Sequence, residues 1–214
     1  MRISVKKLGK RYSRDWVFRD LDWEFEDGCR TAILGPNGSG KSTLLQILTG
    51  QVVPTTGTVE YSDGGSRIPA EEVFRHVAIA APYLELTDGF TLEETIRFHF
   101  TFKKVRGGFA LSELPGIFGL AHAAGKRVRD FSSGMQQRLK LGLAFYSEAR
   151  LLFLDEPTTN LDDRSAEWYR ARLAEVGPDT SVFIASNQAR EYPETARNLQ
   201  IQQYSGVTKG AKGG

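Results

Sequence analysis

Apolar and polar positions divide the chain into an alternating first part, a helical middle and a densely apolar last part. Ile3 to Leu8 and Trp16 to Phe25 interleave apolar and polar residues as strands do. An Asp27-Gly28 turn precedes a shorter strand, Thr31 to Leu34. Beyond "GPNGSGKST", Leu44, Leu45 and Leu48 take helical spacing up to a stop at Gly50. "GTVEYSDGG" reads as a strand and turn, and "HVAIAAP" as a buried strand halted by Pro82.

From about Thr87 to Tyr146 strand alternation disappears. Thr91 and Glu94 form a capping-box pattern ahead of Ile96, Phe98 and Phe100. Further helical stretches are predicted near Leu111 to Leu120 and Ser133 to Tyr146. Phe90, Phe98, Phe100 and Phe102 have mixed spacing that favours no single exposed face, a pattern read as core sooner than as a seat for a partner. "LLFLDE" and "TSVFIAS" are then short apolar runs without alternation, as in parallel strands covered on both faces. A helix near Arg164 to Val176 separates them. "GVTKGAKGG", residues 206–214, reads as a flexible tail. The order is that of one α/β domain over residues 1–214, with a helical subdomain over about 87–146 inserted in its core.

Composition narrows the partners. A chain of 214 residues can bury one sizeable core. A net charge of +2 with no long basic block argues for no nucleic-acid partner. The single Cys29 fits a reducing compartment. The densest apolar runs, Leu151 to Leu154 and Val182 to Ala185, fall far short of the roughly 20 residues a spanning helix needs. The opening "MRISVKKLGKRYS" has no apolar region of the secretory kind. Any tie to a membrane is therefore expected to run through a partner.

Two segments carry chemistry. Gly35-Pro36-Asn37-Gly38-Ser39-Gly40-Lys41-Ser42, followed by Thr43, fits a phosphate-binding loop between a strand and a helix. Its glycines let backbone N–H groups curl toward an anion, and the helix N-terminus adds positive dipole. Lys41 reaches β- and γ-phosphates in such a loop, and the Ser42 hydroxyl takes Mg²⁺. The run Leu151 to Leu154 ends in Asp155 and Glu156, at the carboxyl end of a strand where ligands of α/β sheets sit. Asp155 is the candidate Mg²⁺ ligand, and Glu156 the group that polarises an attacking water. The two segments together mean a nucleotide.

A third segment narrows the reading. In "FSSGMQQR", Ser133 and Gln136 have capping-box spacing, and Met135, Leu139, Leu143 and Tyr146 share a core-like helical face. With "GPNGSGKST" and "LLFLDEPTTNLD", this segment resembles the ATP-binding cassette family, the nucleotide-binding subunits of ABC proteins, over nearly the whole chain. The resemblance implies a P-loop NTPase fold with a mixed sheet core, an N-terminal antiparallel β region and a helical subdomain. It implies an ATPase with ATP and Mg²⁺, working as a head-to-tail dimer. In that dimer Ser132, Ser133, Gly134 and Met135 of one copy cover the ATP held by the other, with Ser133 standing where the family usually has a glycine. It also implies a separate transmembrane permease partner and a location on the cytoplasmic face of the membrane. Tyr12 or Trp16 takes the adenine-facing aromatic position, and Asp162 lies in the loop meeting the partner cassette or caps a helix.

Two positions depart from the family pattern. Tyr83 stands where a metal- and water-binding glutamine is expected. Asn187 replaces a γ-phosphate histidine, with an amide that donates a hydrogen bond but carries no charge. These changes predict modest basal turnover. A soluble ATPase, or an ATP-sensing module not tied to transport, is the alternative.

Overall fold

The computed structural model describes residues 1–205; the tail predicted over 206–214 lies outside them. In chain order the strands and α-helices are β1 (Arg2–Tyr12), β2 (Asp15–Phe25), β3 (Arg30–Leu34), α1 (Lys41–Leu48), β4 (Thr56–Asp63), β5 (Ser66–Ile68) and β6 (Val77–Ala80). There follow α2 (Leu92–Phe102), α3 (Leu114–Ile117), α4 (Ser133–Tyr146), β7 (Leu151–Asp155), α5 (Asp163–Ala174), β8 (Ser181–Ser186) and β9 (Arg197–Gln200).

The strands segregate into two sheets. One is antiparallel, in the order β2-β1-β4-β5, and the other is parallel throughout, in the order β6-β7-β8-β3-β9. The mixture of strand directions expected of the core is thus divided between two layers. β9 completes the parallel sheet beside β3; three of its four residues are exposed, so its sequence carries no buried run.

Alternate residues of the central strands serve two cores. Leu152, Leu154, Val182 and Ile184 join the helices of the 87–146 insert and α5. Leu151, Phe153, Phe183 and Ala185 pack with α1 and the antiparallel sheet, where the Phe153 and Phe183 rings stack with centroids 4.5 Å apart. Both faces are covered, so β7 and β8 are buried at every position.

The insert departs from its predicted pattern in three places. α3 has only one turn, Leu114–Ile117, with Pro115 in it and Gly119 at φ 70° just beyond. The cap of α4 is Ser132, whose Oγ accepts the Met135 N–H at 3.2 Å, so Ser133 is the first helical residue. Phe98 and Phe102, expected in the core, are 52% and 72% exposed and pack edge-to-face on each other along the outer side of α2. The Thr91–Glu94 capping box forms as predicted.

α4 packs with its buried Gly142 against the Phe118 ring, whose nearest atom would lie 2.6 Å from an added Cβ. Gly142→Ala is expected to lower stability by about 1–2 kcal/mol, because overpacking outweighs the gain in helix propensity. Urea unfolding checks this, and Phe118→Leu in the same chain should recover part of the loss. A Gly142→Ala protein as stable as its parent would mean that the ring moves aside freely.

Candidate functional site

The phosphate loop joins β3 to α1. Gly40 stands at φ 99° immediately before α1, and a Cβ there would lie 2.5 Å from Val17, so the antiparallel sheet leans directly on the loop. Among the described residues no side chain caps α1, which leaves its first-turn N–H groups available to an anion. The Lys41 ammonium is buried and donates to the carbonyls of Gly35 at 2.8 Å and Pro36 at 3.2 Å. A cavity of about 350 Å³ lies over the loop, lined by Tyr12, Asn37, Gly38, Lys41, Ser42 and Glu156 among others. Tyr12 borders it with its ring half exposed and the Lys10 ammonium 5.0 Å from the centroid. Trp16, the rival aromatic, does not line it and lies under Arg11.

Asp155 ends β7 and is 1% exposed. Burial drives its pKa up from an ordinary 3.8 to about 6, with a further push from the Glu156 and Glu191 charges; the Ser42 hydroxyl and Lys41 ammonium pull it back down. Its Oδ1 has no hydrogen-bond partner among the described residues, and neither do the buried hydroxyls of Tyr83 and Ser39. Burial, with a further push from the Asp155 charge, drives the Tyr83 hydroxyl well above the ordinary phenol range, which puts it within electrostatic reach of Asp155. These oxygens fit Mg²⁺, a hard cation that takes about one or two oxygen donors from protein and the rest from phosphates and water.

Glu156 lines the loop cavity and has a left-handed backbone, φ 44°. Its N–H is held by the Ala185 carbonyl at 2.9 Å, and its own carbonyl accepts the Thr159 N–H at 3.1 Å. Asn187 lies just beyond β8, and its side-chain amide donates to Asn37 Oδ1 across 3.2 Å. Lys41, Ser42, Asp155, Glu156, Tyr83 and Asn187 thus gather around one loop.

Ser132, Ser133, Gly134 and Met135 do not join them. They line a separate cavity of about 380 Å³ with His122, Arg138, Asn160 and Asp162. Gly134 lies so close to the Asn160 carbonyl that a Cβ would sit 2.8 Å from it. Asp162 caps α5 by accepting the Ser165 N–H at 2.8 Å. Sequence reasoning missed His122, Arg138 and Asn160 here. Arg138 bonds the Phe118 carbonyl at 2.7 Å and lies 4.0 Å from the Trp168 ring, contacts made only by tertiary folding.

A family model described as ABC transporter matches residues 18–159, a span holding the phosphate loop, both carboxylates and the serine-tipped helix. The chain belongs to the ABC transporter family. The chain is 31% identical over 204 residues to the daunorubicin resistance ATP-binding protein DrrA3 of Streptomyces coeruleorubidus, covering 93% of this chain and 64% of that one. It is 28% identical to the Nod factor export ATP-binding protein I of Cupriavidus pinatubonensis, covering 92% and 61%. It therefore spans somewhat under two thirds of these relatives. A glucose import ATP-binding protein, GlcV of Saccharolobus solfataricus, is 32% identical, covering 86% of this chain and 55% of that one. Among solved structures, a dimeric ATP-binding cassette in a post-hydrolysis state, bound to ADP and Pi, superposes with a TM-score of 0.79 at 20% identity, covering 94% and 95% of the two chains. At that identity the likeness is one of fold. The antiparallel layer, parallel sheet and helical insert are those of an ABC cassette.

In this cassette Asp155 carries a folding cost. With its pKa raised, the folded chain holds a proton there that the unfolded chain has lost, so the group's contribution is present below about pH 4 and lost as pH rises through about 6. Asp155→Asn is expected to stabilise the nucleotide-free protein at pH 7.5 by on the order of 1–3 kcal/mol, with the advantage shrinking toward pH 4. Thermal melts across that range check the sign.

Proposed function

We propose that residues 1–205 form a single ATP-binding domain that binds and hydrolyses MgATP and drives a separate transmembrane permease subunit from the cytoplasmic face of the membrane. The reading rests on one observation above all: the buried Asp155 carboxylate, whose Oδ1 has no hydrogen-bond partner among the described residues, lies beside Ser42 and Lys41 of the phosphate loop. Gly35 to Thr43 cradle the phosphates, Lys41 neutralises the β- and γ-oxygens, and Tyr12 lies against the adenine. Ser42, Asp155 and Tyr83 would hold Mg²⁺, which would supply charge neutralisation to the phosphoryl group. Glu156 takes up the proton of the attacking water.

Asn187 donates one neutral hydrogen bond to a phosphate oxygen where the family pattern has a histidine. The missing charge costs about 1–3 kcal/mol of transition-state stabilisation, or roughly 5- to 150-fold in rate. The serine-tipped helix of a second cassette, identical or related, covers the nucleotide. The permease meets the cassette at the insert. Where the insert meets β6, a cavity of about 260 Å³ is lined by Ile79, Leu84, Leu86 and Leu143 with Lys103 and Lys140, and Phe98 and Phe102 are exposed on the insert. Both import and export proteins are among the relatives, so cargo and direction are assigned to the membrane subunit.

Steady-state phosphate release from purified protein tests this function. Slow release is expected, with a fall of at least about 100-fold in Glu156→Gln while ATP binding persists. Release that survives Glu156→Gln contradicts the reading. Asn187→His should raise kcat by roughly 5- to 150-fold.

A further inference from the structure

Glu191 is a carboxylate where no carboxylate is cheap. It ends the short 3₁₀ turn Ala189–Glu191 after β8 and is 1% exposed. Its two oxygens accept from the loop after β7 and from the last residue of β8. Oε1 accepts the Thr158 N–H at 3.0 Å and also the Thr158 hydroxyl, and Oε2 accepts the Ser186 hydroxyl. Ser186 in turn accepts the Gln188 N–H at 2.8 Å, so the residues on either side of Asn187 are tied together beneath it. The Tyr169 hydroxyl, from α5, holds the Glu191 carbonyl at 2.6 Å.

The other end of this tie bears on Glu156. Thr158 stands two residues after it, in a turn closed by the Thr159 N–H to the Glu156 carbonyl. That turn is fastened again at the Pro157 carbonyl by the buried Gln137 of α4, at 2.9 Å. A left-handed backbone at a non-glycine residue persists only where its surroundings over-determine it. Here the fastenings are Gln137 on one side and Glu191 on the other.

We infer that Glu191 is a positioning residue for ATP hydrolysis: its buried carboxylate locks the turn after Glu156 to the loop bearing Asn187. This inference rests on the roles proposed above for those two residues. Glu191 touches neither the loop cavity nor the cavity lined by Ser132 to Met135. Beyond the small push that its charge gives Asp155, its effect is therefore on the geometry of the reacting groups and is read in kcat more than in KM.

The experiment compares kcat, KM and ATP-binding stoichiometry for the full chain and for Glu191→Ala, Glu191→Gln and Ser186→Ala. Glu191→Ala should lower kcat by about 10- to 100-fold, with KM for ATP moving less than about threefold. Glu191→Gln keeps an oxygen for Thr158 and should regain most of that loss. Adding Ser186→Ala to Glu191→Ala should cost nothing further, because the tie is already cut. If Glu191→Ala does not fold, Glu191→Gln and Ser186→Ala decide, with kcat expected about 3- to 10-fold down at unchanged KM. Unchanged kcat in folded Glu191 variants overturns the inference, and so does a loss that appears only as fewer ATP-binding chains. Glu156→Gln run alongside separates the two ideas: if it stops turnover while the Glu191 variants do not, only the positioning role fails.

Discussion

Asp155 is an acidic group buried at the end of a strand that is covered on both faces. That constraint organises the cassette. β7 lies inside a parallel sheet with one core on each face, so its last residue emerges desolvated and beside the loop that β3 delivers. The low-dielectric setting that makes the carboxylate costly in the nucleotide-free chain also makes it a strong partner for a divalent cation. Lys41 and the start of α1 supply the opposite sign nearby, and the antiparallel sheet packs directly against the loop at Gly40.

Around that pair the chain is fastened by polar contacts between distant segments. Glu156 is held in a conformation that non-glycine residues rarely adopt, and the turn behind it is pinned from α4 and from the segment after β8. The Asn187 amide reaches the phosphate loop itself through Asn37. The residues proposed for hydrolysis thus come from four separate parts of the chain but are carried by one sheet, which suits a reaction that depends on positioning more than on covalent chemistry.

What was legible in the sequence is what local pattern controls. The phosphate loop, the buried strands ending at Asp155 and Ser186, and the Thr91–Glu94 box are each written within a few neighbouring residues. β9 escaped because an edge strand with one buried side chain carries no apolar run. Phe98 and Phe102 were misassigned because spacing alone does not reveal which side of α2 the core covers. The α4 cap shifted by one residue because adjacent serines offer the same chemistry, and only backbone geometry separates them. Glu191, Asn160 and Arg138 were invisible for a shared reason: their partners lie 20 or more residues away, or on another element altogether.

Within one chain the phosphate loop and the Ser132 to Met135 segment open into separate cavities, and the account requires a second copy to bring them together. Site-directed crosslinking measures that most directly. Asn37→Cys and Ser133→Cys, each made with Cys29→Ser, are mixed as separate proteins and treated with a short bis-thiol reagent, with and without MgATP. The account predicts a covalent dimer joining one copy of each variant, formed with MgATP and absent without it. A dimer that forms equally well without nucleotide, or no mixed dimer while each protein binds ATP, would contradict it.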